Sequence, residues 1–415
     1  MKICVIGGGG REHALCWKFA EEGHEVFCAP GNPGIWDVAT VADHAVHDRK
    51  AILDWANEVK PDLVVVGPED PLIAGMADMF RENGFDVFGP GQGAARLEGS
   101  KAFSKDMMKR AGIPTAKYQA FSDPVAARNY ATAEFAAGRP VVVKASGTAL
   151  GKGAIVCDSV EEAHAAIDSM LVAMELGEAG RTIVLEERLA GREFSLLTLV
   201  SGTEILSLPV AQDYKRIGDG DEGPNTGGMG TYSPVEWVSE ELVRETEDAV
   251  VRPILASLAE LDIDYRGVLF SGLMLADGVP YCLEYNVRFG DPETQSVLRR
   301  LGDGFAEALM ACARGEAIPA IPVLDEAVCT VVVASEGYPG DYEKGREVEI
   351  GELLDGVKVF HAGTRMVGEE LVTNGGRVVA ISATGIDAED ARAKAYAGVG
   401  AVRFDGMQYR KDIGL

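Results

Sequence analysis

The start of the chain restricts the fold more than any other stretch of the sequence. An apolar run at residues 2–6 leads into four consecutive glycines, and residues 11–22 then place apolar side chains at helical spacing. A buried strand, a tight glycine turn and a helix in this order predict a doubly wound α/β domain. Dinucleotide-binding domains need a glycine at position 12, where this chain has Glu12. We therefore expect the turn to bind an anion such as a sugar phosphate, and not a nicotinamide cofactor.

Composition sets the broad class of the protein. With 415 residues, of which 47% are hydrophobic, the chain is long enough for more than one domain. Its formal net charge of −26 argues against nucleic-acid and anionic-membrane partners, because phosphate-rich surfaces repel it. The seven cysteines form no Cys-x-x-Cys pair and are expected to be reduced, buried thiols. No apolar run reaches the length of a membrane span, so we expect a cytoplasmic protein.

Residues 281–295 hold the densest group of side chains suited to chemistry. Glu284, Asn286 and Arg288 occupy alternate positions after a strand-like run, so an extended chain aims all three at one face. A carboxylate and an amide oxygen suit Mg²⁺, and the arginine fork suits phosphate oxygens. An edge strand with a polar outer face is the alternative. Turn-forming residues and two further carboxylates follow directly, which favours a site for nucleotide chemistry.

Two glycine-rich segments are candidates for phosphate binding. Residues 140–157 predict a hairpin in which Lys144 ends a buried strand and Lys152 lies in the glycine loop. This loop is one residue too short to match the P-loop pattern. Residues 212–230 include the longest glycine-rich polar run, which fits either a surface linker or a segment whose backbone amides close over anions.

The chain resembles the phosphoribosylamine–glycine ligase family of ATP-grasp enzymes. The resemblance runs from Lys2 to Gly414, and its most specific motifs are residues 284–295 and the sequence Gly-Pro-Asn-Thr-Gly-Gly-Met-Gly at residues 223–230. Further matching segments are residues 7–13, 30–33, 67–69, 182–195, 361–364 and 374–377. The resemblance implies an α/β fold of the α+β ATP-grasp type. Its implied parts are a doubly wound parallel-sheet domain at residues 1–100, a two-lobed ATP-grasp domain at 101–325 with its small lobe at about 115–190, and a small β-rich domain at 326–415.

The resemblance also implies a reaction in purine synthesis and the residues that serve it. ATP would drive the joining of glycine to 5-phosphoribosylamine through a glycyl phosphate, with Mg²⁺ or Mn²⁺ as the metal. The implied metal ligands are Glu284 and Asn286, and the implied catalytic residues are Arg288, Lys144, Asp213 and Lys215. The implied ATP contacts are Lys105, Lys144, Lys152, Glu186, Glu187, Leu189 and Glu193. The implied substrate contacts are Gly9, Gly10, Arg11, Asn32, Pro68, Glu69, Asp213, Asn225, Thr226, Gly227, Gly228, Asp291, Pro292, Glu293 and Thr294.

Some assignments stay open at this level. Asp213, Asp291 and Glu293 are each able to orient a substrate amine. Another ATP-grasp carboxylate ligase with a different acceptor and a non-catalytic nucleotide sensor are the alternative functions. We expect the small-molecule substrates glycine, 5-phosphoribosylamine and ATP as partners, no nucleic acid or membrane partner, and a monomer or a weak homodimer.

Three cationic positions also have purely structural explanations. Arg11 and His13 fit the solvated first turn of a helix, and Lys105 fits a surface ion pair.

The family loop more often carries Asp-Gly-Leu-Ala at residues 146–149, where this chain has Ser-Gly-Thr-Ala. The length and the glycines of the loop are kept.

Overall fold

The N-terminal part of the chain forms a five-stranded parallel sheet, as the sequence predicts. The computed structural model describes residues 1–149 and 153–415. The elements of this part are β1 (Lys2–Gly7), α1 (Gly10–Glu21), β2 (Glu25–Pro30), β3 (Thr40–Val41), α2 (Arg49–Val59), β4 (Leu63–Val66), α3 (Glu69–Ile73), α4 (Met76–Glu82), β5 (Val87–Phe88) and α5 (Gln92–Gly99). Cys4 and Ile6 of β1 enter one apolar core, and Ile3 and Val5 enter another. The sheet is therefore covered on both faces, which is the usual setting of parallel strands.

The strand order of this sheet places its ligand-binding edge. The order is β3-β2-β1-β4-β5, so the direction of winding reverses between β1 and β4. In such sheets the crevice at the carboxyl ends of the two central strands gathers ligands. The glycine turn after β1 and residues 67–69 after β4 both lie at this crevice.

A small lobe follows, built on an antiparallel sheet of order β6-β9-β7-β8. Helix α6 (Lys101–Arg110) precedes this lobe, and Met107 and Met108 on it belong to the core of the N-terminal domain and the large sheet. The elements of the lobe are β6 (Tyr118–Phe121), α7 (Pro124–Ala136), β7 (Val141–Ala145), β8 (Ala154–Val156), α8 (Val160–Leu171) and β9 (Ile183–Glu187). Ser100 caps α6, because its Oγ accepts a hydrogen bond from the Phe103 amide at 3.2 Å. Helices α7 and α8 share an apolar core with β7 and β9.

The large sheet has the antiparallel order β11-β10-β16-β17. The elements of this region are β10 (Arg192–Ser201), β11 (Glu204–Ser207), β12 (Gln212–Asp213), β13 (Arg216–Gly218), β14 (Glu222–Asn225), β15 (Gly230–Ser233), α9 (Glu240–Thr246), α10 (Arg252–Ala259), β16 (Arg266–Ala276), β17 (Val279–Asn286), α11 (Glu293–Val297) and α12 (Phe305–Arg314). A π-helical turn at Glu247–Val251 joins α9 to α10.

The last region shares its sheet with the preceding one. Its elements are β18 (Ala327–Ser335), β19 (Glu349–Ile350), β20 (Val357–His361), β21 (Thr364–Val367), β22 (Glu370–Thr373), β23 (Arg377–Gly385), α13 (Ala388–Val399), β24 (Val402–Arg403) and β25 (Met407–Gln408). The sheet order is β12-β15-β18-β23-β20, and β15 pairs with β18 from Gly230 to Ser233. Two strands of the large-sheet region therefore complete this β-rich unit.

The glycine-rich run that also fits a surface linker contains a hairpin, which we name the cleft hairpin (residues 216–225). It consists of β13, a turn at Asp219–Asp221 and β14. Residues 410–415, here named the C-terminal latch, hold the turn: the Lys411 amide donates to Asp219 at 2.7 Å, and the Gly220 amide donates to Asp412 at 2.8 Å. The run is therefore an ordered, tethered element.

The seven cysteines are free and buried, as predicted. Burial raises the pKa of the Cys282 thiol to about 12, a value typical of inert thiols. Over residues 1–149 and 153–415, none of the helices combines the length and the apolar character needed to cross a membrane.

Candidate active site

A cleft of about 520 Å³ separates the small-lobe sheet from the large sheet, and we name it the interlobe cleft. Val142 and Val156 line its small-lobe wall, and Met274 and Leu283 line the wall of the large sheet. Leu189 lies between them on the connection that joins the two sheets. Apolar side chains from two facing sheets, with polar groups beyond them, suit a planar ring system.

Glu186 is held between two lysines in this cleft. Its Oε2 accepts a hydrogen bond from Lys144 Nζ at 2.9 Å, and its Oε1 lies 3.2 Å from Lys105 Nζ. Burial alone would raise the pKa of Glu186, but Lys144 and Lys105 lower it below its usual range. Lys105 is buried and also donates to Thr115. The alternative explanation of Lys105 as a surface ion-pairing residue is therefore wrong. Two cations on one carboxylate leave positive charge to meet an anion.

The remaining residues expected to contact ATP divide into two groups. Glu187, Leu189 and Glu193 line the interlobe cleft, and Glu193 Oε2 pairs with Lys215 Nζ at 2.8 Å. Lys152 lies outside the described residues. The cleft thus contains all the expected contacts that the structure describes except Lys105, which borders it through Glu186.

A second space of about 210 Å³ adjoins the cleft, and we name it the inner cavity. The two spaces share Asp213, Lys215, Asn225 and Glu284 as lining residues. The expected site residues that line the inner cavity are Glu69, Asp213, Lys215, Asn225, Thr226, Gly227, Glu284, Asn286, Arg288, Asp291 and Glu293. Polar side chains from distant parts of the sequence therefore meet in one enclosed space.

Glu284 and Asn286 lie at the boundary side of the inner cavity. Both are on β17, opposite Gly272 and Phe270 of β16, and their alternation aims both side chains at the cavity, as the sequence predicts. Burial alone would raise the pKa of Glu284, but nearby lysines, Lys101 foremost, lower it to about 2. Within the described residues neither side chain makes an ion pair or a hydrogen bond. An ionised carboxylate and a free amide oxygen fit a hard divalent cation.

Arg288 joins the large sheet to the N-terminal domain. Its Nη2 lies 2.9 Å from Glu98 Oε1, and its Nε lies 3.3 Å from Glu69 Oε2. For both carboxyl groups burial raises the pKa and Arg288 lowers it, but the net results differ. The pKa of Glu69 is lowered to about 2, whereas burial prevails at Glu98 and raises its pKa to about 7. Glu98 is the more enclosed carboxyl, and it also accepts from the Val287 amide at 2.8 Å. Arg288 is thus fixed in place before any ligand arrives.

The turn after β1 lies beside the inner cavity without lining it. Arg11 is buried and donates to the Phe289 carbonyl at 3.1 Å, so a solvated first turn is wrong for this residue. Asn32 donates to the Gly8 carbonyl at 2.9 Å and thereby supports the turn. A Cβ on Gly9 would lie 3.8 Å from Asp291 Oδ2, which shows how near the turn comes to the cavity wall.

Five further expected substrate contacts stand outside the lining of the cavity. They are Gly10, Pro68, Gly228, Pro292 and Thr294. Thr294 is fully buried and donates to the Gly290 carbonyl. A Cβ on Gly228 would lie 2.5 Å from Cδ of Pro292, so this glycine packs against the cavity wall. Gly228 and Thr294 therefore belong to the packing behind the cavity wall.

Arg377 is a residue that sequence reasoning missed. It begins β23 and donates to the carbonyls of Gly227 and Asp291, each at 2.6 Å, and to Asp291 Oδ2 at 3.0 Å. The Tyr338 hydroxyl accepts a hydrogen bond from the Gly227 amide at 3.0 Å. The β-rich unit therefore fixes two loops of the inner cavity. The only sequence signal was the polar turn at residues 374–377.

His13 is a packed histidine at the contact between α1 and β20. Its Nδ1 accepts a hydrogen bond from the His361 amide at 2.8 Å, and its ring meets Phe360 edge-on. Burial, followed by the charges of His361 and Lys358, lowers the pKa of His13 to about 3. A neutral imidazole that accepts from the backbone has a structural role here.

Known proteins resemble this chain over its full length. A phosphoribosylamine–glycine ligase of Halalkalibacterium halodurans is 44% identical over 417 residues, which cover 100% of this chain and 96% of that protein. The crystal structure of the phosphoribosylamine–glycine ligase of Thermotoga maritima has a TM-score of 0.88 at 36% identity, covering 99% of this chain and 100% of that one. The biotin carboxylase domain of a Hydrogenobacter thermophilus 2-oxoglutarate carboxylase, solved with MgADP, shares the fold, with a TM-score of 0.76 at 18% identity over 98% of this chain and 91% of that one.

Family models match the chain in three consecutive parts. The N domain of phosphoribosylglycinamide synthetase matches residues 1–98, the ATP-grasp (A) domain matches residues 99–294, and the C domain matches residues 328–415. Together with full-length identity of 44%, these matches confirm the predicted α/β ATP-grasp fold. The chain belongs to the phosphoribosylglycinamide synthetase family.

Proposed function

We propose that the protein joins glycine to 5-phosphoribosylamine at the expense of ATP, giving glycinamide ribonucleotide, ADP and phosphate. The observation that carries this proposal is the pair of adjoining spaces, which share Lys215 and Glu284 at their boundary. A phosphoryl group that leaves a nucleotide in the interlobe cleft has only this boundary to cross before it meets an acid in the inner cavity.

The interlobe cleft is the proposed ATP site. The adenine ring lies between the two apolar walls of the cleft, which include Val142 and Met274. The end of β9 and the connection to β10, with Glu187 and Leu189, contact the edge of the ring. Glu193 meets the ribose hydroxyls. The phosphates lie near the Lys105, Glu186 and Lys144 group, where two cations share one carboxylate.

Glu284 and Asn286 are the proposed ligands of Mg²⁺, with Mn²⁺ as a substitute. Among the described residues their side-chain oxygens have no hydrogen-bond or ion-pair partner, and the low pKa of Glu284 keeps its carboxylate ionised at neutral pH. When bound, a divalent ion supplies charge that offsets the phosphate oxygens during transfer. The protein contributes the ionised carboxylate, the amide oxygen and their fixed spacing on β17.

The reaction proceeds in two steps. A carboxylate oxygen of glycine bonds to the γ-phosphorus while the bond to ADP breaks, which yields glycyl phosphate. Arg288, Lys144 and Lys215 stabilise the charge that spreads over the transferred group, because they are held in position before the reaction. The nitrogen of phosphoribosylamine then bonds to the acyl carbon, phosphate leaves and the nitrogen loses a proton, with Asp213 among the groups that orient the reactants.

The sugar phosphate occupies the crevice between the glycine turn and the inner cavity. Gly9, Gly10 and Arg11 supply the start of α1, where backbone dipoles favour an anion. Asn32 and Pro68 shape the crevice, and Glu69 reaches into the inner cavity. Residues 225–228 and 291–294 form the opposite wall.

Water must be kept from the acyl phosphate until the amine attacks. The cleft hairpin and the loop at residues 226–229 cover the two spaces, and Asn225 connects them to the small lobe by donating to the Ala154 carbonyl at 3.3 Å. Closure of this cover after ATP and glycine bind would commit both substrates.

Measuring ADP release with each candidate acid and amine tests the proposed function. We expect rapid ADP formation only with glycine and phosphoribosylamine together, and one amide product for each ADP. Equal turnover with formate or bicarbonate would instead identify another ATP-grasp ligase, and ATP binding without turnover would identify a sensor. We further propose a monomer or weak homodimer, which sedimentation velocity over a range of concentrations tests.

A further inference from the structure

Three of the carboxyl groups that line the inner cavity have different surroundings. They belong to Asp213, Asp291 and Glu293. Asp291 is committed: its Oδ2 accepts from Arg377 at 3.0 Å, and its Oδ1 accepts from Gln295 Nε2 at 2.7 Å. An aspartate with an arginine and an amide on its two oxygens has little capacity left for a substrate amine.

Asp213 is in the opposite condition. Its Oδ1 is buried and has no hydrogen-bond partner among the residues that the structure describes. Most buried acceptors in folded proteins are paired, and an unpaired one is costly. Gly228 closes off this side, since a Cβ on that residue would lie 2.7 Å from the same oxygen. The unpaired oxygen is therefore free to accept a hydrogen bond from a small ligand in the inner cavity.

Glu293 lines the inner cavity together with Asp213, and we refer to the two as a pair. It is buried, and its Oε1 accepts from Ser195 Oγ at 3.0 Å. Burial and then the negative charge of Glu293 raise the pKa of Asp213 well above its usual range, so the ionised form of Asp213 is disfavoured. A cation placed beside both carboxyl groups would offset this effect.

The cations of the protein that lie near this pair are engaged elsewhere. Lys215 Nζ pairs with Glu193 at 2.8 Å, and Arg377 bonds to Asp291 and to loop carbonyls. Neither Asp213 nor Glu293 forms an ion pair within residues 1–149 and 153–415. The pair therefore lacks a positive partner that the described part of the chain supplies.

We propose that Asp213 and Glu293 together bind the ammonium group of the amino-acid substrate, and that Asp291 does not. This proposal rests on the proposed function, because it takes glycine as the acid in the inner cavity. Bound this way, glycine presents its carboxylate to the other end of the cavity, where Glu284 and Arg288 lie.

The arrangement also decides which amine reacts. A nitrogen held as ammonium by two carboxyl groups has no free electron pair, so it cannot attack glycyl phosphate. The nitrogen of phosphoribosylamine is then the only nucleophile: it bonds to the acyl carbon, the bond from carbon to the phosphate oxygen breaks, and the attacking nitrogen releases one proton. The glycine nitrogen leaves the reaction unchanged.

The test compares glycine with glycolate, which replaces the ammonium group by a neutral hydroxyl. For Asp213→Asn we expect kcat/KM for glycine, from ADP release with phosphoribosylamine present, to fall by about tenfold to a hundredfold, the range for a lost charge-assisted contact. The value for glycolate should stay within about threefold, since a neutral hydroxyl does not need the lost charge. Asp291→Asn is the matched comparison, and it should lower both values in the same proportion.

The deciding measurement is the ratio of kcat/KM for glycine to kcat/KM for glycolate, here called the preference. A general structural defect lowers both values alike and leaves this ratio unchanged. Glu293→Gln provides a second variant should Asp213→Asn fold poorly, and it should shift the preference in the same direction. An unchanged preference in both variants, or a loss of preference in Asp291→Asn alone, would overturn the inference. Failure of the wild-type protein to release ADP with glycine and phosphoribosylamine would instead refute the proposed function.

Discussion

The guanidinium group of Arg410 donates a hydrogen bond to Oδ1 of Asp221 at 2.7 Å, and this contact joins the C-terminal latch to the cleft hairpin. Arg410 also donates to Asp412 and to the Arg216 carbonyl, and its side chain is 1% exposed. Its guanidinium lies 4.8 Å from the centre of the Tyr214 ring. Through these contacts Arg410 anchors the first strand and the turn of the hairpin to the C-terminal latch.

Removing the latch contact should loosen the hairpin. We expect Arg410→Ala to raise the KM for ATP about tenfold, equivalent to roughly 1.4 kcal/mol, because residues 216–225 lose their anchor. Limited proteolysis of the free protein should then cut within the hairpin. Arg346→Ala is the control, since Arg346 forms exposed ion pairs in the same unit and such pairs contribute little. Equal KM values in the two variants would mean that the latch does not position the hairpin.

Glu284→Gln tests the proposed metal ligand. The substitution keeps the size of the side chain but removes the charge, so we expect kcat to fall roughly a hundredfold, about 3 kcal/mol of transition-state stabilisation, at saturating Mg²⁺. Binding of ATP in the absence of metal should change little, because the apolar walls and Lys144 are intact. Glu260→Gln, an exposed surface position, is the control. A normal kcat at saturating Mg²⁺ would contradict the assignment.

Gly228→Ala tests the cover of the inner cavity. Gly228 has a φ of +109°, and a Cβ there would meet Asp213 and Pro292 at 2.7 and 2.5 Å, so alanine must displace the loop. We expect more than one ADP per amide product, because water can pass the displaced loop, enter the inner cavity and hydrolyse glycyl phosphate.

Gly220→Ala, in the turn of the neighbouring cleft hairpin, is the matched control. Gly220 also has a positive φ, of +67°, but a Cβ there meets nothing within 4 Å. Alanine at this position should cost about 1 kcal/mol of backbone strain while ADP and product stay in equal amounts. A ratio of one in the Gly228 variant would show that the loop does not exclude water.

The contact between α1 and β20 should weaken in acid. Burial lowers the pKa of His361 to about 4, and His13 titrates near 3, whereas an unfolded histidine titrates near 6.5. Between these values the unfolded chain binds protons that the folded chain does not, so the free energy of unfolding falls as the pH is lowered and is fully restored above about 6.5.

Replacing one histidine separates this effect from other titrations. For His361→Gln we expect the free energy of unfolding, measured by urea denaturation between about pH 6.5 and 4, to depend less on pH by up to about 1.4 kcal/mol per pH unit. His47→Gln, at an exposed position, is the control. Identical slopes in all three proteins would exclude the histidine pair as the cause.

The sequence predicted those parts of the site that lie on regular elements. Glu284 and Asn286 line one cavity because the alternation of a strand is fixed by its backbone. Arg288 lines the same cavity from two residues beyond the end of β17, so strand alternation does not account for its position. The strand, glycine turn and helix at the N-terminus were predictable for the same reason, since each has a local signature.

Long-range contacts were not predictable from one sequence. Glu98 bonds to the backbone of Val287, 189 residues away, and Arg377 reaches Gly227 across 150 residues. Neither residue carries a local pattern that marks it, because the contact depends on how separate sheets pack. The cleft hairpin was equally hidden, as its glycine-rich composition fits a linker until the latch residues are placed beside it.

The shared sheet has a consequence for any shortened form of the protein. Strand β15 lies between β12 and β18, so a fragment ending before residue 327 would present the backbone of Gly230–Ser233 as an open edge. Open edges recruit strands from other molecules, and such a fragment should aggregate. Co-expression with a separate piece covering residues 327–415 should restore solubility, because that piece supplies the missing neighbour strand.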